Sequence, residues 1–358
     1  MRSVNHKELK DVIKQAFRVK QALYIWGAVG IGKSETVKDM AKEIAKDNGL
    51  KFSEDINKFE EKTLYYLDIR LSQFEPSDIR GLPKLTDKGT VWVLPDFLEF
   101  ATSHKDVFII MNLDELNLAC PSIQASAYKL ILDRKADSKN LSDNAYIIAC
   151  GNRLEDRANI FELPMPLANR FAHIELKIPE LEEWVDWALP HGIDERVIAF
   201  LKFKPSLLFH YDEKEKEKAF GTPRSWFFCS RLIKDFETEK NLDFLETLIS
   251  TSVGEGTAIQ MAKFLKLTTK IKIMDFIEKP EKIKEITELD LKFAITSELS
   301  RVFKKNDKHF PNIMKIVEYL EPEFAILTLR FLKEAKPQFF KEQAIKFGFI
   351  KSYAKYLL

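Results

Sequence analysis

GAVGIGKSE, residues 27–35, decides how the rest of the chain is read. It follows ALYIW, residues 22–26, a short apolar run with strand character. It leads into TVKDMAKEIAKDNG, where Val37, Met40, Ala41, Ile44 and Ala45 share one side of an amphipathic helix stopped at Gly49. Gly27, Gly32, Lys33 and Ser34 satisfy GxxxxGK[ST], with Gly30 as a further glycine, in the strand–loop–helix setting that the pattern needs. Glycines let the backbone curl so that successive N–H groups point at phosphate oxygens. The helix beginning near Lys33 adds the partial positive charge of its N-terminus. Lys33 is expected to reach the β- and γ-phosphates of a nucleotide and Ser34 to sit on Mg²⁺. The expected nucleotide-binding residues are therefore Gly27, Ala28, Val29, Gly30, Ile31, Gly32, Lys33, Ser34 and Glu35.

A phosphate loop alone only binds. Hydrolysis needs a second strand that delivers carboxylates to the metal and to water, and VFIIMNLDE, residues 107–115, fits that need. Asp114 would hold Mg²⁺ through its water shell, and Glu115 would polarise the attacking water. A strand ending in an acidic loop is common by itself; its pairing with the upstream phosphate loop gives it meaning. Asn112 is a polar residue inside this buried strand, so it must find a hydrogen bond, and the sequence does not say where. A third run, NAYIIACGN (144–152), ends in Asn152, whose amide could bridge the water and the γ-phosphate. Asparagine at a strand end is otherwise ordinary turn chemistry.

Composition bounds the remainder. With 358 residues the chain suits two or three domains. Hydrophobic residues at 45% and charged residues at 31% fit a globular protein. No apolar run approaches the ~18–20 residues that span a bilayer, and the N-terminus has no signal-peptide pattern. Cys120, Cys150 and Cys229 are scattered, form no metal-ligand spacing, and point to a reducing, cytoplasmic setting. The net charge of +1 argues against a general nucleic-acid-binding surface.

The three strands, with the arginine of LANRF after them, resemble the AAA+ ATPases, and more closely their MoxR-type branch. The resemblance rests on DIRLSQFEPSDIRGLP (68–83), WVLPDFLEF (92–100), LDELNLACPSIQASAYKLILDRK (113–135), IIACGNRLEDRANIFELPMPLANRFAHIEL (147–176) and GTPRSWFFCSRLI (221–233). It covers roughly residues 8–270, with the motifs in the family's order. It implies Walker A roles for Lys33 and Ser34, Walker B roles for Asp114 and Glu115, and sensor 1 for Asn152. Arg170 corresponds to the arginine finger, and Arg224 to the sensor 2 arginine of a helical lid. Residues 68–100 correspond to a hairpin-bearing insert after the second strand, and DRKADSKNLSDNAY to a hairpin before sensor 1. Leu118 departs from the pattern, since relatives usually carry a basic residue there.

By the same resemblance the chain would hydrolyse ATP with Mg²⁺ as a ring, expected to be a hexamer, with Arg170 acting on the neighbouring subunit. The output would be remodelling of a protein client, often beside a partner with a von Willebrand factor type A domain. A salt bridge from Arg170 to Glu155, Asp156 or Glu162 is the plainer alternative for that residue. A nucleic-acid-acting motor and a nucleotide-gated scaffold with little turnover are the rival functions.

The fold class expected is α/β: a core with a five-stranded parallel sheet over residues 1–178, a helical lid over 179–272, and a helical extension over 273–358. In the lid, Leu181, Trp184, Val185 and Ala188 recur at helical spacing, and Thr222 can cap a helix opening with Pro223. DEKEKEKAF (212–220) reads as a solvated charge run. The charged, proline-containing stretch 279–284 is the expected boundary before the extension.

Overall fold

Runs such as LYIW, TLYYLDIR, FIIMNLD and AYIIACG are apolar on both faces, which suits parallel strands covered by helices on each side. In the computed structural model of the chain they form one sheet. Residues 1–87, 89–105, 107–153, 160–211, 218–234 and 236–347 are described, with side chains to 342. The chain divides into two units, Met1–Pro179 and Glu180–Leu358.

The first unit opens with β1 (Ser3–Val4), α1 (His6–Val19), β2 (Leu23–Trp26), α2 (Lys33–Asp47), β3 (Lys51–Ser53) and β4 (Thr63–Arg70). A helix–hairpin–helix follows: α3 (Pro76–Arg80), β5 (Leu82–Thr86), β6 (Gly89–Val93) and α4 (Asp96–Ser103). Next come β7 (Phe108–Asp114), α5 (Pro121–Leu132) and a second small hairpin of β8 (Lys135–Ala136) and β9 (Lys139–Asn140). The unit closes with β10 (Ala145–Gly151), α6 (Met165–Ala168) and β11 (Ala172–Leu176).

The main sheet has seven strands in the order β1-β11-β2-β10-β7-β4-β3, all parallel. The expected five strands occupy its centre, and β1 and β3 extend the two edges. These strands of two and three residues are too short to display a hydrophobic period, so the sequence count falls short by two.

Because every strand runs the same way, the chain leaves β2, β7 and β10 at one edge of the sheet. Arg170 enters β11 at the other edge, two residues ahead of Ala172, which pairs with Leu23 at the start of β2. On α2, Val37, Met40, Ala41, Ile44 and Ala45 are buried, the stripe read from the sequence.

The second unit consists of α7 (Leu181–Ala188), α8 (Glu195–Phe203), α9 (Pro223–Ile233), α10 (Thr238–Val253) and α11 (Glu255–Lys270), then α12 (Ile273–Glu278), α13 (Leu289–Lys305), α14 (Phe310–Tyr319), α15 (Pro322–Ala335) and α16 (Pro337–Phe347). One apolar core runs from Trp184 through Trp226 and Phe264 to Phe303 and Phe340. The 279–284 stretch does not interrupt it, since Pro280 and Ile283 are buried there. Arg196 is fully buried beneath α9, and each of its five N–H groups has an acceptor. Nε and Nη2 grip the two Asp194 carboxylate oxygens at 2.9 and 2.7 Å; the others donate to Ile233 O, Phe236 O and Thr238 Oγ1. Burial pushes the Asp194 carboxyl up, but the Arg196 fork outweighs it and holds the group below the usual carboxylate range.

Candidate functional site

The loop from Gly27 to Ser34 leaves β2 and enters α2. A Cβ on Gly27 would stand 2.8 Å from Ile31 Cδ1 and 2.9 Å from the Leu176 carbonyl, so only glycine fits. Gly30 and Gly32 have φ of 75° and 94°, the left-handed region that glycine enters at no steric cost. Gly32 is the N-cap of α2, and no side chain caps the helix. Its first N–H groups are therefore available to an anion. Ala28 and Ile31 are buried, whereas Val29 and Glu35 are exposed. On the far side of the loop, His6 Nε2 lies 2.9 Å from the Ile31 carbonyl oxygen.

Lys33 is 9% exposed. Its Nζ donates to Gly27 O and Ala28 O at 2.8 Å and to Asn152 Oδ1 at 3.0 Å. The cation thus spans the loop and the tip of β10. Ser34 Oγ donates to Asp114 Oδ2 at 2.7 Å, which joins the loop to β7. The other Asp114 oxygen accepts the Glu115 N–H at 3.0 Å. Burial pushes the Asp114 carboxyl above its usual range, with Asp68 and Glu115 adding to the push and the Ser34 hydroxyl opposing it.

A divalent cation would relieve that excess of negative charge, and the donors are the hard oxygens that Mg²⁺ takes. No group of three or more His, Cys, Asp or Glu among the described residues could hold a metal.

Glu115 turns the chain out of β7 with φ of 56°, a left-handed conformation that costs a non-glycine residue of order 1–3 kcal/mol. Its half-buried carboxylate accepts a short hydrogen bond from Ser72 Oγ, in the 3₁₀ turn after β4. Asn112 has its partner across the same strand pair: register places it opposite Asp68, and its Nδ2 donates to Asp68 Oδ1 at 3.2 Å. Its Oδ1 accepts from Cys150 Sγ at 3.5 Å.

The structure thus brings Lys33, Ser34, Asp114, Glu115 and Asn152 together. Two residues that sequence reasoning missed also belong here. Ser72 binds Glu115, and the buried Asn117 binds the backbone of Asn152 through both ends of its amide, at 2.8 and 3.1 Å. The only sequence signal for Asn117 was a polar residue among apolar ones in LDELNLA.

Arg170 does not join this cluster. Its side chain is exposed, and Gln21 Nε2 donates to its carbonyl oxygen at 3.2 Å. No ion pair connects it to a described acidic residue, Glu162 included; Glu155 and Asp156 lie outside the described residues. Arg170 stands at the N-terminal edge of the sheet, whereas Gly27 is at the C-terminal edge. From the level of Leu23 to that of Gly27 is about 13 Å at ~3.3 Å per residue. Arg224 lies in the first turn of α9 in the second unit, exposed, behind a capping box made by Thr222 and Ser225. Leu118 is half-buried in the turn after Glu115.

No protein-family profile matches the chain, and no curated protein matches it in sequence. Among solved structures, it is similar to the Aeropyrum pernix ORC2 protein in its ADP form, at 13% identity over 92% of this chain and 94% of that one, with a TM-score of 0.41. It is also similar to C. elegans PCH-2, at 13% identity over 74% and 70% of the two chains, with a TM-score of 0.36. A DNA polymerase III gamma subunit-related protein from Thermotoga maritima gives 12%, 90%, 82% and 0.33 in the same order. Identities and scores at this level say nothing of activity here. No helix among the described residues is long and apolar enough to cross a membrane.

Proposed function

We propose that the chain is an AAA+ ATPase of MoxR type that hydrolyses ATP with Mg²⁺ in the cytoplasm. The observation that carries this is the pair of ties from the phosphate loop to the strand tips, Ser34 to Asp114 and Lys33 to Asn152. They join a hydroxyl, a cation, a carboxylate and an amide beside one uncapped helix N-terminus, with Glu115 the residue after Asp114. When bound, Mg²⁺ supplies charge neutralisation for the β- and γ-phosphates, and Ser34 and Asp114 would hold it. Lys33 exchanges its loop carbonyls for phosphate oxygens. Glu115, released from Ser72, accepts a hydrogen bond from the attacking water and aligns it with the γ-phosphorus. Asn152 orients that water or a γ-oxygen.

Arg170 is too far along the sheet to serve its own loop, which supports a finger offered to the ATP of a neighbouring copy in a ring, proposed to be a hexamer. Arg224 is assigned to the lid arginine that senses bound nucleotide. A protein client, and a partner with a von Willebrand factor type A domain, complete the reading. Its support is the order of the motifs along the sequence.

The test is phosphate release from ATP by the purified full chain. Turnover should require Mg²⁺ and disappear in Glu115→Gln, which keeps nucleotide binding, while Lys33→Ala loses binding. Unchanged turnover in Glu115→Gln would leave a nucleotide-gated scaffold, contaminated by another ATPase, as the better description.

A further inference from the structure

The amide of Asn117 is committed, at both ends, to the backbone of one other residue. Nδ2 donates to Asn152 O at 2.8 Å, and Oδ1 accepts the Asn152 N–H at 3.1 Å. This is the two-bond exchange that a strand residue makes with its partner in a hydrogen-bonded antiparallel pair. Here a side chain supplies it, and the reason lies in the turn at Glu115. The pairing of β7 with β10 ends at Leu113 and Ala149, because the left-handed Glu115 carries the β7 backbone away. Beyond that point a single backbone bond from the turn, Leu116 N to Cys150 O, reaches the tip of β10, which presents Asn152 to Lys33. Asn117 continues the ladder by proxy.

The surroundings are shaped to admit it. Asn117 is 1% exposed; its carbonyl accepts from Phe161 N at 2.7 Å, and the N–H of the preceding residue, Leu116, donates to Cys150 O at 3.1 Å. A Cβ on Gly151 would stand 2.5 Å from Asn117 Oδ1 and 2.0 Å from the Tyr24 hydroxyl. The strand tip therefore forgoes a side chain at the position where the amide enters.

We infer that Asn117 is a positioning residue that acts through Asn152, fixing its carboxamide relative to Glu115, two residues upstream in the same turn. The inference rests on the ATPase reading above. Its consequence is that Glu115 and Asn152, the two groups assigned to the attacking water, are set by one rigid turn.

The experiment is a double-mutant cycle in the full chain, read by steady-state ATP hydrolysis, by the affinity for a fluorescent ATP analogue, and by thermal melting. Asn117→Ala should lower kcat by about 10²-fold, the loss that accompanies a misplacement of ~1 Å, and leave nucleotide affinity within about threefold. Asn117→Asp, which keeps the acceptor and loses the donor, should fall between wild type and Asn117→Ala. Adding Asn117→Ala to Asn152→Ala should lower kcat no further, because one residue acts through the other. If Asn117→Ala does not fold, the isosteric Asn117→Asp carries the same cycle. Multiplicative losses in the double variant would overturn the inference, as would an Asn117 variant with wild-type kcat beside an impaired Asn152→Ala. Turnover by the wild type reports on the ATPase reading itself, so the two failures are told apart.

Discussion

The position of Arg170 gives a prediction that needs no assumption about ring size. The arginine precedes β11 at one edge of a parallel sheet and the phosphate loop leaves β2 at the other; from the level of Ala172, two residues after the arginine, to that of Gly27 is about 13 Å along the strands at ~3.3 Å per residue. Under the function proposed above, a completed site would take Glu115 from one copy and Arg170 from the next. Glu115→Gln and Arg170→Ala should each be nearly inactive alone, the latter by roughly 10³-fold or more. Mixed in equal amounts and allowed to exchange, they should recover activity. A site is competent when its owner is an Arg170→Ala chain, with Glu115 intact, and its donor neighbour is a Glu115→Gln chain, with Arg170 intact. Each condition holds for half of the positions in random head-to-tail association, so about one quarter of the wild-type rate should return. The assay is phosphate release as a function of mixing ratio at fixed total protein, with a maximum at equal amounts. A mixture that shows only the average of its two components would refute the assignment of Arg170 to a neighbour's nucleotide.

Three further outcomes follow from particular contacts. Gly151→Ala puts a methyl 2.0 Å from the Tyr24 hydroxyl and 2.5 Å from Asn117 Oδ1; overpacking of this kind costs about 1–3 kcal/mol, visible as a lower Tm together with slowed turnover. Ser72→Ala removes the short hydrogen bond that holds the Glu115 carboxylate; a charged hydrogen bond of about 1.5–3 kcal/mol is at stake, and basal ATP turnover should rise several-fold at unchanged nucleotide affinity. Arg196→Met strands the buried Asp194 charge and should destabilise the second unit by about 3–5 kcal/mol in urea denaturation. Because the folded-state Asp194 carboxyl is held below its usual range, its contribution is present above an unfolded pKa of about 3.9 and lost as the pH falls through the lower folded value. The stability gap between wild type and Arg196→Met should therefore narrow as the pH falls, beginning above about 4, where burial without the Arg196 fork favours the protonated acid in the variant, and continuing below it as the wild type loses its own contribution.

The groups proposed to touch phosphate, metal or water were legible because the chemistry expected of them is tied to contiguous patterns. Lys33 and Ser34 follow a glycine loop, Asp114 and Glu115 end an apolar run, and Asn152 ends another. What supports them was not legible, because it depends on which strand lies beside which. Asn112 finds Asp68 only once β4 and β7 are in register, and Ser72 meets Glu115 for the same reason. Arg196 stands in the first turn of a helix, where a charged side chain normally faces solvent; its burial is decided by the Asp194 cap and the carbonyls at the end of α9. Strands of two or three residues carry no period, so β1 and β3 were invisible.

The single core of the second unit bears on how the chain can be divided. Helices on either side of residue 272 are sewn together by Ser300 and Lys304 on Glu195, by Arg330 on Asp186 and by Lys305 on Glu237, in addition to shared apolar packing. A shortened chain ending near 272 would not be a minimal ATPase with its accessory part trimmed away. It would lose α13, which packs against α8 and α11, and with it part of the core those helices share. The C-terminal helices are in this sense structural members of the second unit, and deletion of them tests folding before it tests any task they perform.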